Sequence, residues 1–275
     1  MKLFFVFNGN ENINRLHHFF NHYRGLGVTH FYAIYHSYGD KDREVLNFVM
    51  GNAMVVKVWD DKFNEHLKVR YVNEVRRKFT KYDEWSFTVD CDEFVDITKK
   101  QIEDIVGSEF NYCKFRLVDR FSEPKFKPVS VDEDIDKTYP YNSHFTFEIL
   151  CGADTKVFFS RREVIVGLGY HDVISQDEQV VIVKKYPLDG YINHYKWIEG
   201  VIDNVKERIE NVFVKDGSSD DYFEECQVLI NYDYDRVKYI GKPLKMKLLF
   251  IVWSLQDLNL MNQFFNHYRR LGVTE

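Results

Sequence analysis

The sequence predicts an α/β domain: a mainly parallel sheet with helices on both faces, giving way to a mixed C-terminal half. Two observations predict it. From residue 2 to residue 89, short apolar runs alternate with stretches of helical spacing, the pattern of successive βαβ units. The chain also has 275 residues, 45% hydrophobic and 29% charged, enough to build a core without a disulfide framework.

Residues 2–7 (Lys-Leu-Phe-Phe-Val-Phe) read as a buried strand. Ile13, Leu16, Phe20, Tyr23 and Leu26 then recur at helical spacing, and Gly25 and Gly27 end the helix. A second strand is expected at 30–35, a helix at 42–51 and a third strand from Met54 to Trp59. Leu67, Tyr71, Val72, Val75 and Phe79 mark another helix, followed by a strand from Trp85 to Val89. Further strands are expected near 112–118, 145–150 and 156–159, with a polar loop from Glu123 to Tyr141 and a helix near 197–210.

The chain also repeats itself. Met1–Thr29 and Met246–Thr274 align without a gap at an offset of 245, with 15 of 29 positions identical. So long a period belongs to duplicated domains rather than to a solenoid. The expected organisation is one domain over 1–243, and a stub over 244–275 that repeats its first strand and helix. Leu248, Phe250, Val252, Phe264 and Tyr268 would give the stub an apolar face and an open edge, so self-association through it is expected.

Composition narrows the partners. Thirty-seven basic against 43 acidic residues give a net charge of −6, so no nucleic-acid partner is expected. No apolar run approaches the ~20 residues of a membrane span. Cys91, Cys113, Cys151 and Cys226 lie far apart with no C-x-x-C pair, which argues against a zinc knuckle and for free thiols in a reducing cytoplasm. P-loop, G-x-G-x-x-G and G-x-S-x-G motifs are absent from the sequence.

The sharpest chemical signal is Val89-Asp90-Cys91-Asp92-Glu93-Phe94, at the end of the fourth strand. Ligands of a parallel sheet bind at that edge. In extended chain, residues i and i+2 point the same way, so Asp90 and Asp92 are expected to converge. Two adjacent carboxylates resist joint ionisation unless a cation lies between them, and a hard divalent ion that also grips phosphate fits. The plain alternative is an acidic loop capping a strand. Downstream, His194 and Lys196 in Asn-His-Tyr-Lys-Trp precede a helix, where an imidazole on the ion and an ammonium on phosphate would together neutralise a diphosphate. His171 lies in a glycine-loosened loop, and His22 reads as a packing or capping residue. Lys68, Arg70, Arg76, Arg77 and Lys78 read as the wet face of a helix. Asp132, Glu133, Asp134 and Asp136 lack the turn glycine of a calcium loop and read as solvated.

Taken together and in order, these residues resemble a known family. Asn10-Glu11, His22 through Val28, and Trp85 through Phe94 are similar to bacterial family-2-type glycosyltransferases of the GT-A fold. So are Leu117 through Phe121, Lys156-Val157, Gly169 through Asp172, and His194 through Trp197 leading to a helix with Arg208. The resemblance implies a GT-A (Rossmann-like) sheet, a nucleotide-sugar donor, a Mn²⁺ or Mg²⁺ ion, and inverting transfer to the hydroxyl of a glycan or lipid-linked acceptor. By position it implies that Asn10 and Glu11 begin the donor-nucleotide loop and that Asp90 and Asp92 hold the ion. His194 is then the downstream metal ligand, with His171 as the alternative, and Lys196 meets the diphosphate. After the second strand only Asp40 matches the family's acidic nucleotide contact; the rest reads Tyr35-His36-Ser37-Tyr38-Gly39, which leaves aromatic stacking as a means of base recognition. The first candidates for the catalytic base are Asp119 and Asp172, ahead of Glu148. A polysaccharide-building role at the inner face of the membrane is the implied setting. Two rivals stay open: a metal-dependent nucleotidyltransferase or phosphohydrolase, which would attack phosphorus, and a non-catalytic carbohydrate-binding module.

Overall fold

A computed structural model describes residues 1–37, 43–150, 154–174, 183–211, 220–237 and 239. Asp40, Cys151, the glycine-marked linker at 241–243 and the repeat at 246–274 lie outside the described residues.

The first half follows the predicted alternation. Strands β1 (Lys2–Asn8), β2 (His30–His36), β3 (Met54–Trp59) and β4 (Trp85–Thr88) are separated by helices α1 (Ile13–Gly25), α2 (Glu44–Met50) and α3 (Glu65–Phe79). They pair in parallel in the order β3-β2-β1-β4. Asn12 and Asn64 start α1 and α3 by accepting hydrogen bonds from the N–H groups of Arg15 and Leu67, caps that each contribute about 1 kcal/mol.

The second half is mixed, as expected. It comprises β5 (Glu93–Val95), α4 (Lys99–Val106), β6 (Tyr112–Phe121), α5 (Ile135–Thr138), β7 (Tyr141–Ser143), α6 (Phe145–Leu150) and β8 (Thr155–Arg161). After these come the small hairpin β9 (Ile165–Val166) with β10 (Val173–Ile174), then β11 (Tyr191–His194), α7 (Val201–Asn211) and α8 (Asp220–Asn231). The sheet continues past β4 through β8, β6, β11 and β5, with β7 paired to β6. Strand β8 runs antiparallel to both β4 and β6, while β11 runs parallel to β6. The run at 145–150 is a short helix instead of the expected strand. Its first turn is tied to a carboxylate, because Asp119 accepts the Thr146 N–H at 2.7 Å. The polar loop 123–141 contains α5, started by Asp134.

Alternation along β1 builds two cores. Leu3, Phe5 and Phe7 face Leu16, Phe19, Phe20 and Tyr23 of α1. On the other side Phe4 joins Val69, Val72 and Val75 of α3. A third cluster gathers Phe121, Phe145 and Trp197 against α7 and α8. Arg76 overturns the reading of α3's basic run as a wet face. It is 1% exposed and donates to Ser160, to Ser86 and to the carbonyls of Val164 and Arg161, fastening α3 beneath β8. Among the described residues Cys91, Cys113 and Cys226 are buried and unbridged, and no helix is long and apolar enough to cross a membrane.

Candidate active site

The chain leaves β1 for β2 on one side, while β4 lies on the other, so the strand order switches direction at β1 and β4. Their carboxyl ends open into a cavity of about 740 Å³, the place where such sheets bind ligands. Asn10 and Glu11 of the loop after β1, Asp90 and Asp92 after β4, Lys156, His171, His194 and Lys196 all line it. The structure thus brings together residues spread over nearly 190 positions, as the resemblance implied. It sets the two base candidates apart.

The acidic motif does not stay extended. Asp90 O accepts the Glu93 N–H at 3.1 Å, closing a turn between β4 and β5, and the two aspartates take different partners. Asp90 Oδ1 lies 3.0 Å from Lys68 Nζ and its Oδ2 2.6 Å from Lys156 Nζ. Burial opposes its charge, but the two lysines more than offset that and hold Asp90 well below the usual carboxylate range. Asp92 Oδ2 instead lies 3.4 Å from His194 Nε2 and 4.0 Å from Arg15. The extended geometry expected to make Asp90 and Asp92 point the same way is therefore corrected: a turn connects them, and they meet different cationic partners.

His194 ends β11, where antiparallel pairing sets it opposite Glu93 and parallel pairing opposite Asp119. Its Nδ1 is 2.9 Å from Asp119 Oδ1. A carboxylate only accepts, so that nitrogen carries the proton and Nε2 is turned towards Asp92. Burial opposes a charged ring, yet Asp92 and Asp119 outweigh it and push the imidazole up to about 9. One ligand atom each from Asp92, Glu93 and His194 lie within 4.8 Å of one another. A divalent cation would replace the proton that the carboxylates now hold on the ring. A histidine whose far nitrogen donates to a buried carboxylate is also the arrangement that orients a metal-binding imidazole. The donor set fits a Mn²⁺- or Mg²⁺-type ion.

Asp119 is the partner behind that histidine and not an accessible base. It is 2% exposed and accepts from the Thr146 N–H and hydroxyl, the Trp197 indole and His194. Three of those donors meet Oδ1 and one meets Oδ2, and Asp119 does not line the cavity. Asp172 is corrected for the opposite reason. The turn after β9 points it outward, 81% exposed, to a 2.8 Å ion pair with Lys114, and it does not line the cavity. Glu148, ranked behind them, is exposed and also absent from the cavity wall.

His171 lines the cavity but stands outside the Asp92–Glu93–His194 group. Its Nδ1 donates to Thr155 O at 2.8 Å, and burial with Lys156 nearby pulls it down to about 4, so the ring is neutral. Gly169, at φ +57°, is required beneath it, since a Cβ there would come within 2.5 Å of the imidazole.

Several site residues went unassigned in the sequence. Lys68 reads as a surface lysine because helical spacing does not reveal that α3 turns Glu65 and Lys68 of its first turn to the cavity. Lys156 is the second residue of β8 and precedes the apolar run Val157-Phe158-Phe159, and a charge set against that run was its signal. Arg15 donates to Tyr195 O at 3.0 Å and pairs with Glu11 at 2.5 Å, locking the β1 loop to β11. Glu199 lines the cavity at the start of α7; among the described residues its carboxylate has no ion pair or side-chain hydrogen bond.

No family profile matches the chain, and no curated protein matches it in sequence. Solved structures resemble it loosely. TarS of S. aureus is 10% identical with a TM-score of 0.38, over 90% of this chain and 46% of TarS, so the chain spans under half of that protein. TarS 1–349 in complex with UDP gives 13% identity and 0.35, over 90% of this chain and 76% of that one. A putative nucleotide-diphospho-sugar transferase of Desulfovibrio desulfuricans G20 gives 10% and 0.36, over 84% and 97%.

Proposed function

We propose that the chain is a nucleotide-sugar-dependent glycosyltransferase that uses a divalent ion and inverts the anomeric centre. The observation that carries this reading is the Asp92–His194 pair with Asp119 behind it, at the sheet's switch point and facing a cavity large enough for a nucleotide sugar. Asn10 and Glu11 would meet the nucleoside, and Asp40 belongs to the same expectation. His36 and Phe63 add rings to the wall, in keeping with base recognition by stacking. Asp92 and His194 would hold Mn²⁺ or Mg²⁺, which supplies charge for the departing diphosphate. Lys196, in the wall beyond His194, would share that load.

Inverting transfer also needs a carboxylate that takes the acceptor proton. Of the acids lining the cavity, Glu11 is held by Arg15, Glu65 by Lys68 and the Gly169 N–H, Asp90 by two lysines, and Asp92 by His194. Glu199 is the remaining one with its carboxylate unengaged among the described residues, so it replaces Asp119 and Asp172 as the proposed base. A glycan or lipid-linked hydroxyl is the proposed acceptor class.

Calorimetry with nucleoside diphosphates and nucleotide sugars, with and without Mn²⁺, tests the reading. Metal-dependent binding is expected, and turnover should release a nucleoside diphosphate. Release of a monophosphate would mean attack at phosphorus instead. Glu199→Gln should lower kcat by about 10²-fold or more, the usual scale for a general base, and leave donor affinity unchanged. Lys196→Ala should weaken a nucleoside diphosphate by about tenfold and the bare nucleoside hardly at all, a charge-assisted contact being involved. Equal losses for both ligands would make Lys196 a packing residue.

A further inference from the structure

Each oxygen of Asp90 and Glu93 has an ion-pair or a hydrogen-bond partner. Asp90 Oδ1 has Lys68 and Oδ2 has Lys156. Glu93 Oε1 contacts the same Lys156 ammonium, and Oε2 accepts the Asp90 N–H at 3.1 Å. Lys156 cannot swing away easily. It is 8% exposed, its backbone is registered against Phe115 in the β8–β6 pair, and its Nζ lies 5.6 Å from the centre of the Tyr170 ring. A Glu93 oxygen nevertheless lies within 4.8 Å of ligand atoms of Asp92 and His194, and the cation set against Glu93 Oε1 is the Lys156 ammonium. A buried carboxylate deprived of its cation must take up another cation or a proton.

We propose that Lys156 is a resident cation that reserves Asp90 and Glu93, leaving Asp92 and His194 as the protein ligands of the divalent ion. The first aspartate of the D-x-D motif is then an anchor for two lysines instead of a metal ligand. Lys156 is a positioning residue that sets how tightly the ion is held. An ion gripped by two protein ligands keeps positions open for diphosphate oxygens, whereas a third ligand, the Glu93 carboxylate, would fill one of them and add negative charge beside the phosphates. The inference deepens the proposed function and depends on it only for the presence of a divalent ion.

Titrating Mn²⁺ alone into the full chain, by calorimetry, tests it without turnover. Asp92→Asn should lose about tenfold or more in Mn²⁺ affinity, while Asp90→Asn stays within about threefold of the parent. Lys156→Met should bind Mn²⁺ about tenfold more tightly, because Glu93 becomes a third ligand, and Lys156→Arg should behave as the parent. Adding Glu93→Gln to Lys156→Met should remove the gain. A folded Lys156→Met with unchanged Mn²⁺ affinity overturns the proposal. So does an Asp90→Asn loss equal to that of Asp92→Asn, and this comparison decides the matter if Lys156→Met does not fold. A parent chain that shows these Mn²⁺ differences but binds no nucleoside diphosphate overturns the functional reading and leaves the role of Lys156 standing.

Discussion

Asp119→Ala should lower both the stability of the fold and its affinity for a divalent ion. The carboxylate is buried and accepts four hydrogen bonds, from Thr146 twice, from Trp197 and from His194. Removing it strands the Trp197 indole in a dry core and leaves a buried imidazole with one of its two carboxylates. Breaking a buried pair from one side costs about 3–5 kcal/mol. For a domain of this size that is a fall in Tm of about 10 °C. Mn²⁺ affinity should fall about 10–100-fold with it, since the outer carboxylate fixes the tautomer and aim of His194. Thermal unfolding and Mn²⁺ titration read the two effects. Were Asp119 the catalytic base, Asp119→Asn would abolish turnover while leaving Tm and Mn²⁺ affinity untouched.

Asp92→Asn has a different expected profile. Its side chain is 21% exposed and its contacts are long, 3.4 Å to His194 and 4.0 Å to Arg15. The fold should therefore tolerate the change, with Tm moving by no more than about 2–4 °C, the equivalent of 1 kcal/mol. Nucleoside diphosphate binding in Mn²⁺ should weaken by at least about tenfold, which is 1.4 kcal/mol, and addition of Mn²⁺ should no longer improve it. Calorimetry showing the parent's affinity and the parent's metal dependence in the variant removes Asp92 from the site. Together the two variants separate a ligand from the residue that aims a ligand, a distinction the linear motif cannot make.

Local order governs what could be read in advance. The apolar period of β1 and the helical spacing of α1 and α3 are properties of neighbouring residues, so the parallel half was legible. Residues 145–150 were misread because Phe-Thr-Phe-Glu-Ile-Leu suits either state. The deciding hydrogen bond comes from Asp119, 27 positions away. Strands β5 and β11 are short, and both depend on distant partners: β5 pairs with β11, and β11 lies between β5 and β6.

The sequence by itself determined the α/β class, the strand edge that carries the acidic motif, and a pool of residues from Asn10 to Lys196 that meet in one cavity. The first two follow from periodicity and from the rule that parallel strands present their carboxyl ends to ligands; the pool is what the resemblance to the glycosyltransferase family implied. Tertiary structure alone decided which carboxylate does what. Asp90 went to Lys68 and Lys156, Asp92 to His194, Asp119 behind the imidazole and Asp172 to solvent, while among the described residues the Glu199 carboxylate has no ion pair. The physical reason is that a carboxylate's role is set by the charges and donors within about 4–6 Å of it, and here those come from strands and helices far apart in the chain.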